Sequence, residues 1–144
     1  ETKPGGQTTN YTYVDVHGGI ASEMKPAPVL NGPRPLKLTS WVQKYAYVRN
    51  SSGILVAETT PVWVVSSETE CESAAGSSSP VCGVGSTQIV TNYVYGADGT
   101  ANNLLLRSKI VDAGGLNLRT CYTYDGSGNK ISETAPKGAV STCP

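Results

Sequence analysis

Apolar and polar side chains alternate along this chain in short runs, separated by glycine, proline and small polar residues. All eight tyrosines fall into four Tyr-x-Tyr pairs, Tyr11/Tyr13, Tyr45/Tyr47, Tyr93/Tyr95 and Tyr122/Tyr124. On a strand, residues i and i+2 face the same side, so each pair sets two rings on one face, where rings of neighbouring strands can stack. The pairs therefore mark four predicted strands.

A polar, glycine-containing stretch closed by isoleucine follows three of the pairs, as Val14–Ile20, Val48–Ile54 and Asp125–Ile131. Gly, Asn and Asp permit the positive φ values of tight hairpin turns, and the isoleucine begins a returning strand. The return then runs into Glu23-Met24-Lys25-Pro26, Glu58-Thr59-Thr60-Pro61 or Glu133-Thr134-Ala135-Pro136, and Glu1-Thr2-Lys3-Pro4 repeats the phrase. Proline lacks a ladder donor, so Pro4, Pro26, Pro61 and Pro136 are read as strand ends. The resulting unit is strand, turn, strand, proline linker. It recurs over residues 1–26, 40–61, 88–112 and 113–138 of a single domain spanning 1–144, with insertions at 27–39 and 62–86. The third unit has a longer turn, Gly96 to Asn103. Four hairpins predict about eight strands, enough for one curved sheet or a short open roll.

The stretches Pro4–Tyr13 and Asp112–Asp125 resemble the RHS/YD repeat, whose pattern is roughly P-x-G-x-x-T-x-Y-x-Y-D-x-x-G-x-(L/I). The resemblance is strongest over residues 1–20 and 87–138. Only Tyr124 is followed by the Asp of the pattern; Tyr13 and Tyr47 precede Val, and Tyr95 precedes Gly. The resemblance implies an all-β chain of antiparallel hairpins in a curved or spiralling sheet with little or no helix, on a secreted or surface-anchored bacterial protein. Members often form a hollow shell around a C-terminal toxin, for which four hairpins are too few. The family's self-cleavage motif resembles Asp-Pro-x-Gly, and no Asp-Pro occurs here.

Composition agrees with strands and turns: 16 glycines, 9 prolines and no phenylalanine among 144 residues. Eleven basic and eleven acidic residues give zero formal charge, and the Lys and Arg are scattered singly, which argues against a nucleic-acid partner. The longest apolar bursts, Ile54–Ala57 and Val62–Val65, fall far short of the ~20 residues of a membrane span. Glu1–Gly6 has no apolar core of a signal peptide, so the chain reads as a mature or excised segment. Cys71, Cys82, Cys121 and Cys143 lack CxxC spacing and are expected as structural disulfides in an oxidising, extracellular compartment. Cys71 and Cys82 bracket a Ser/Ala/Gly/Pro-rich loop, 71–82, that closure would restrain. Cys121 and Cys143 occupy equivalent places in successive units and form the natural second pair, although four cysteines allow three connectivities.

Candidate chemistry is sparse. His17, the sole histidine, sits in a Val-His-Gly-Gly turn without a nucleophile motif nearby. Asp125–Asn129 has oxygen donors at alternate positions, but Glu133 lies too early for the distal carboxylate of a calcium loop. Glu23, Glu58 and Glu133 recur in register with the repeat, which favours a structural role over a glycosidase carboxylate pair. No catalytic, cofactor or metal site is expected. The chain opens on one linker phrase and stops inside another, where a further Tyr-x-Tyr strand is due, and an unpaired sheet edge is a template for another chain. The expected partner is therefore a second copy of the chain, joined by strand addition into a filament. A fragment of a toxin shell, or an adhesin that stacks carbohydrate on Trp41, Trp63 and the tyrosine rows, are the alternatives.

Overall fold

The computed structural model describes residues 8–136 and 142–143. The linker phrase at Pro4 lies outside the described residues. Eight strands follow one another: β1 (Asn10–Tyr13), β2 (Ile20–Met24), β3 (Pro35–Arg49), β4 (Leu55–Glu72), β5 (Ile89–Tyr95), β6 (Leu106–Val111), β7 (Leu118–Tyr124) and β8 (Lys130–Glu133). They form one sheet in sequence order, β1 to β8, and the described pairs are antiparallel. No helix occurs among the described residues. The fold is thus all-β, and each Tyr-x-Tyr pair lies on the outgoing strand of a hairpin, β1, β3, β5 or β7.

The hairpins close by a shared backbone device. Asn50 N–H donates to Ile54 O (2.9 Å) and Gly53 N–H donates to Asn50 O (2.9 Å), with Gly53 at φ +75°. Asp125 N–H donates to Asn129 O (3.0 Å) and Gly128 N–H to Asp125 O (3.1 Å), with Gly128 at φ +87°. Three-residue tips of this kind need one residue of positive φ, which glycine supplies without a Cβ clash. In the longer β1–β2 tip, Val14 N–H reaches Gly19 O at 2.8 Å. The register slips between Thr12 and Tyr13, between Val94 and Tyr95, and between Thr123 and Tyr124. In each case the extra residue, Ala21, Arg107 or Ile131, lies on the returning strand opposite the second tyrosine, an irregularity of the bulge kind shared by three of the four hairpins.

Two expected boundaries are corrected. Pro35–Thr39, assigned to the 27–39 insertion, opens β3, and Val62–Glu72, assigned to the 62–86 insertion, continues β4. Pro61 lies inside β4 and does not end it. Proline forfeits a single donor, and alternate N–H groups of a strand point to opposite neighbours, so one proline need not terminate a ladder. The β-branched and aromatic run Val62 to Val65 carries the strand onward. Pro26 and Pro136, by contrast, do follow the ends of β2 and β8.

By packing the chain divides into two compact units, Glu1–Ser40 with Glu68–Val90, and Trp41–Ser67 with Thr91–Pro144. In the first, Met24 lies opposite Leu36 in the β2–β3 register, and both bury against Cys71 with Leu38 and Cys82 alongside. Arg34 braces this unit. Its Nε donates to Lys25 O (2.8 Å), and its Nη2 donates to Thr8 O (2.9 Å) and Met24 O (3.1 Å). In the second unit Ile110 and Cys121 are buried, beside the buried hydroxyls of Ser108 and Thr120. The middle residue of two tyrosine pairs makes the same cross-strand contact in each unit: Thr12 and Ser22 share a hydroxyl hydrogen bond of 2.6 Å, as do Thr123 and Ser132.

Gly96 is the glycine whose side-chain space is most tightly held by backbone in the second unit. A Cβ there would stand 2.8 Å from Asn103 Cα, whereas one at Gly126 would meet nothing within 4 Å. Gly96→Ala is expected to destabilise the fold by about 1–3 kcal/mol through the enforced backbone shift, and Gly126→Ala by less than about 0.5 kcal/mol. Urea denaturation midpoints of the two variants will show the difference.

Candidate functional site

The residues singled out from the sequence serve mainly as structural fittings. Cys71 is bonded to Cys82 and Cys121 to Cys143, and no free cysteine occurs among the described residues. The first bond sits at the Ser73–Cys82 bridge that closes the loop between β4 and β5. His17 Nδ1 accepts Gly19 N–H at 3.1 Å, within its own turn. Asp125 Oδ1 accepts Ser127 N–H and Asn129 N–H, both at 2.9 Å, and Oδ2 accepts Asn129 Nδ2, also at 2.9 Å. Its oxygens therefore close the turn, as Asn50 Oδ1 does for Ser52 and Ile54 N–H at 3.0 Å. Glu133 pairs with Lys130 at 2.6 Å on β8, Glu23 lies on β2 and Glu58 on β4. A cavity of 370 Å³ in the first unit is lined by Leu36, Cys71 and Ile89 together with Glu23, Glu70 and Glu72. No group of three or more His, Cys, Asp or Glu side chains placed to hold a metal ion occurs among the described residues. Trp41 and Trp63 are half-buried on β3 and β4.

The tyrosine pairs divide the labour between their members. The second tyrosine of two pairs bonds to the preceding hairpin: Tyr95 Oη donates to Val65 O and Tyr124 Oη donates to Leu106 O, each at 2.9 Å. Burial raises the Tyr95 phenol above its ordinary pKa and, with a smaller push from the Glu133 carboxylate, does the same for Tyr122. Arg107 lies over the Tyr124 ring at 5.2 Å and Lys130 over the Tyr122 ring at 5.8 Å, both within cation–π range.

One polar constellation was not visible in the sequence. Asn103, only 1% exposed, ends the long β5–β6 turn. Its Nδ2 donates to Tyr45 O (2.8 Å) and its Oδ1 accepts Tyr47 N–H (3.2 Å), so the carboxamide pairs with β3 as a neighbouring strand's backbone would. Asp98 joins the group. Its Oδ1 accepts Lys44 Nζ at 2.6 Å and Asn103 Nδ2 at 3.3 Å. The Lys44 ammonium, then the Asn103 amide, hold the Asp98 carboxyl below the usual carboxylate range, and hydrogen bonds led by the Asn129 side chain do the same for Asp125. Residues 54 positions apart and more are involved, which no local spacing announces. Chemically the group offers an amine, a carboxamide and a carboxylate bridging them.

No family model, curated protein or solved structure matches the chain.

Two outcomes follow from these contacts. Tyr95→Phe and Tyr124→Phe each leave a strand carbonyl without its hydroxyl donor and should lower stability by about 1 kcal/mol, measured by thermal or urea unfolding. Because Asp98 and Asp125 are depressed in the folded state, the stability they contribute is present above the ordinary carboxylate pKa and is lost as pH falls through their folded values. Asp98→Asn and Asp125→Asn should therefore flatten the acid limb of the stability–pH curve relative to the unsubstituted chain. An unchanged acid limb would show that neither carboxylate is linked to folding.

Proposed function

We propose that the chain is a structural scaffold segment of an extracellular protein, a hairpin-repeat array of the RHS/YD kind that associates with copies of itself and performs no catalysis. The observation that carries this reading is the balance between strand surface and core. Among the described residues the buried apolar side chains are Met24, Leu36, Cys71, Ile110 and Cys121. Strand valines remain well exposed, with Val42, Val48 and Val94 at 42% and Val56 and Val62 at 41%. Exposed apolar residues on strands favour association with further β-structure. The described sheet also ends in β1 and β8, each with one neighbouring strand. Strand addition at such edges supplies main-chain hydrogen bonds whatever the side chains.

Two disulfides, and the absence of a helix long and apolar enough to cross a membrane among the described residues, are compatible with an extracellular location. His17 Nδ1 and Asp125 Oδ1, on two residues the sequence offered as candidates for chemistry, accept backbone N–H groups of their own turns, in keeping with a scaffold.

Light scattering across a concentration series, with negative-stain imaging of the same samples, tests the reading. A mass that rises with concentration and regular assemblies on the grid are expected. A monomer at every concentration, with Cys71–Cys82 and Cys121–Cys143 intact, would overturn self-association.

A further inference from the structure

Lys44, Asp98 and Asn103 bring together the parts of an amide-forming reaction. Lys44 Nζ and Asn103 Nδ2 end on the same Asp98 oxygen, at 2.6 and 3.3 Å. The Lys44 side chain is only 14% exposed, and Asn103 is buried. Tyr47 N–H, 3.2 Å from Asn103 Oδ1, already donates to the oxygen on which negative charge would gather if a nucleophile added to the carboxamide. Tyr45 O fixes the Nδ2 side of the amide at 2.8 Å, so the electrophile is held in one orientation. Fixing nucleophile and electrophile in one folded unit replaces a bimolecular encounter with an intramolecular one.

We propose that Lys44 and Asn103 form an intramolecular amide cross-link, with Asp98 carrying the protons. Asp98 takes a proton from the Lys44 ammonium, and the freed Nζ lone pair forms a bond to Asn103 Cγ. Asp98 then delivers that proton to Nδ2, the Cγ–Nδ2 bond breaks, and ammonia leaves as the carbonyl re-forms. The second proton on Nζ returns to Asp98 and passes to the departing ammonia. In sum a lysine ammonium and a carboxamide become a secondary amide and an ammonium ion, with no oxidant or reductant. The product ties β3 to the β5–β6 turn through a bond that thiols do not cleave, and it does not depend on whether the chain associates with copies of itself.

Intact-mass spectrometry of the folded chain after prolonged incubation, followed by reduction and alkylation, gives the test. The expected mass is below that of the fully reduced and alkylated sequence by one ammonia, with a proteolytic fragment that joins the Lys44 and Asn103 peptides. Asp98→Ala, at a position 64% exposed, and Lys44→Arg should both form the two cystines yet keep their full sequence mass. If either variant fails to fold, the unsubstituted chain's mass and joined fragment decide alone. An unsubstituted chain at full sequence mass would overturn the proposal. So would loss of water with Lys44 joined to Asp98, or loss of ammonia with no fragment containing Lys44.

Discussion

A backbone N–H at the tip of a hairpin has lost its ladder partner and must find another acceptor within two or three residues, or pay in water exchange and fraying. That requirement organises this chain. Asn50 and Asp125 meet it in the same way, each turning its side-chain oxygen onto two N–H groups of its own turn while its main chain pairs across the base. Gly53 and Gly128 occupy the positive-φ position that completes the reversal. In the Asp125 hairpin the returning strand carries an extra residue, Ile131, opposite Tyr124, and the hydroxyl of Tyr124 reaches the hairpin before it.

For two of the eight tyrosines these contacts give a physical reason against phenylalanine. At Tyr95 and Tyr124 the ring supplies contact area and the hydroxyl satisfies a carbonyl on an earlier strand, roles that phenylalanine would only half fill. Asn103 performs a related service from a loop, its amide standing in for a strand against Tyr45 and Tyr47. Arg34 does so in the other unit, where its guanidinium gathers three carbonyls. In both units polar side chains finish backbone hydrogen bonding that neighbouring strands leave incomplete.

With so few buried apolar residues, covalent restraint counts for more. The two disulfides join residues 11 and 22 positions apart, and loops of this size stabilise by about 3 kcal/mol each in the chain-entropy account. Cys71 and Cys121 also belong to the buried set, so each bond is anchored in the core it helps to hold. An amide between Lys44 and Asn103 would add a restraint of the same type at the β5–β6 turn, where neither disulfide acts.

Period-two alternation, the four Tyr-x-Tyr pairs and the glycine-bearing turns by themselves determined the all-β class, the number of hairpins and which strand of each carries the tyrosines, because these are properties of near neighbours in the chain. The equivalence of Asn50 and Asp125 was legible for the same reason. The ends of β3 and β4 were not: Pro61 looks like a terminator when read locally, and the ladder absorbs the loss of its single donor. Nor could any spacing have disclosed Asn103 or its link through Asp98 to Lys44, since the pairing joins β3 to a turn two strands later and exists only once the sheet has formed. Local backbone geometry is written in adjacent residues, whereas the satisfaction of distant polar groups is settled by which surfaces the fold brings into contact.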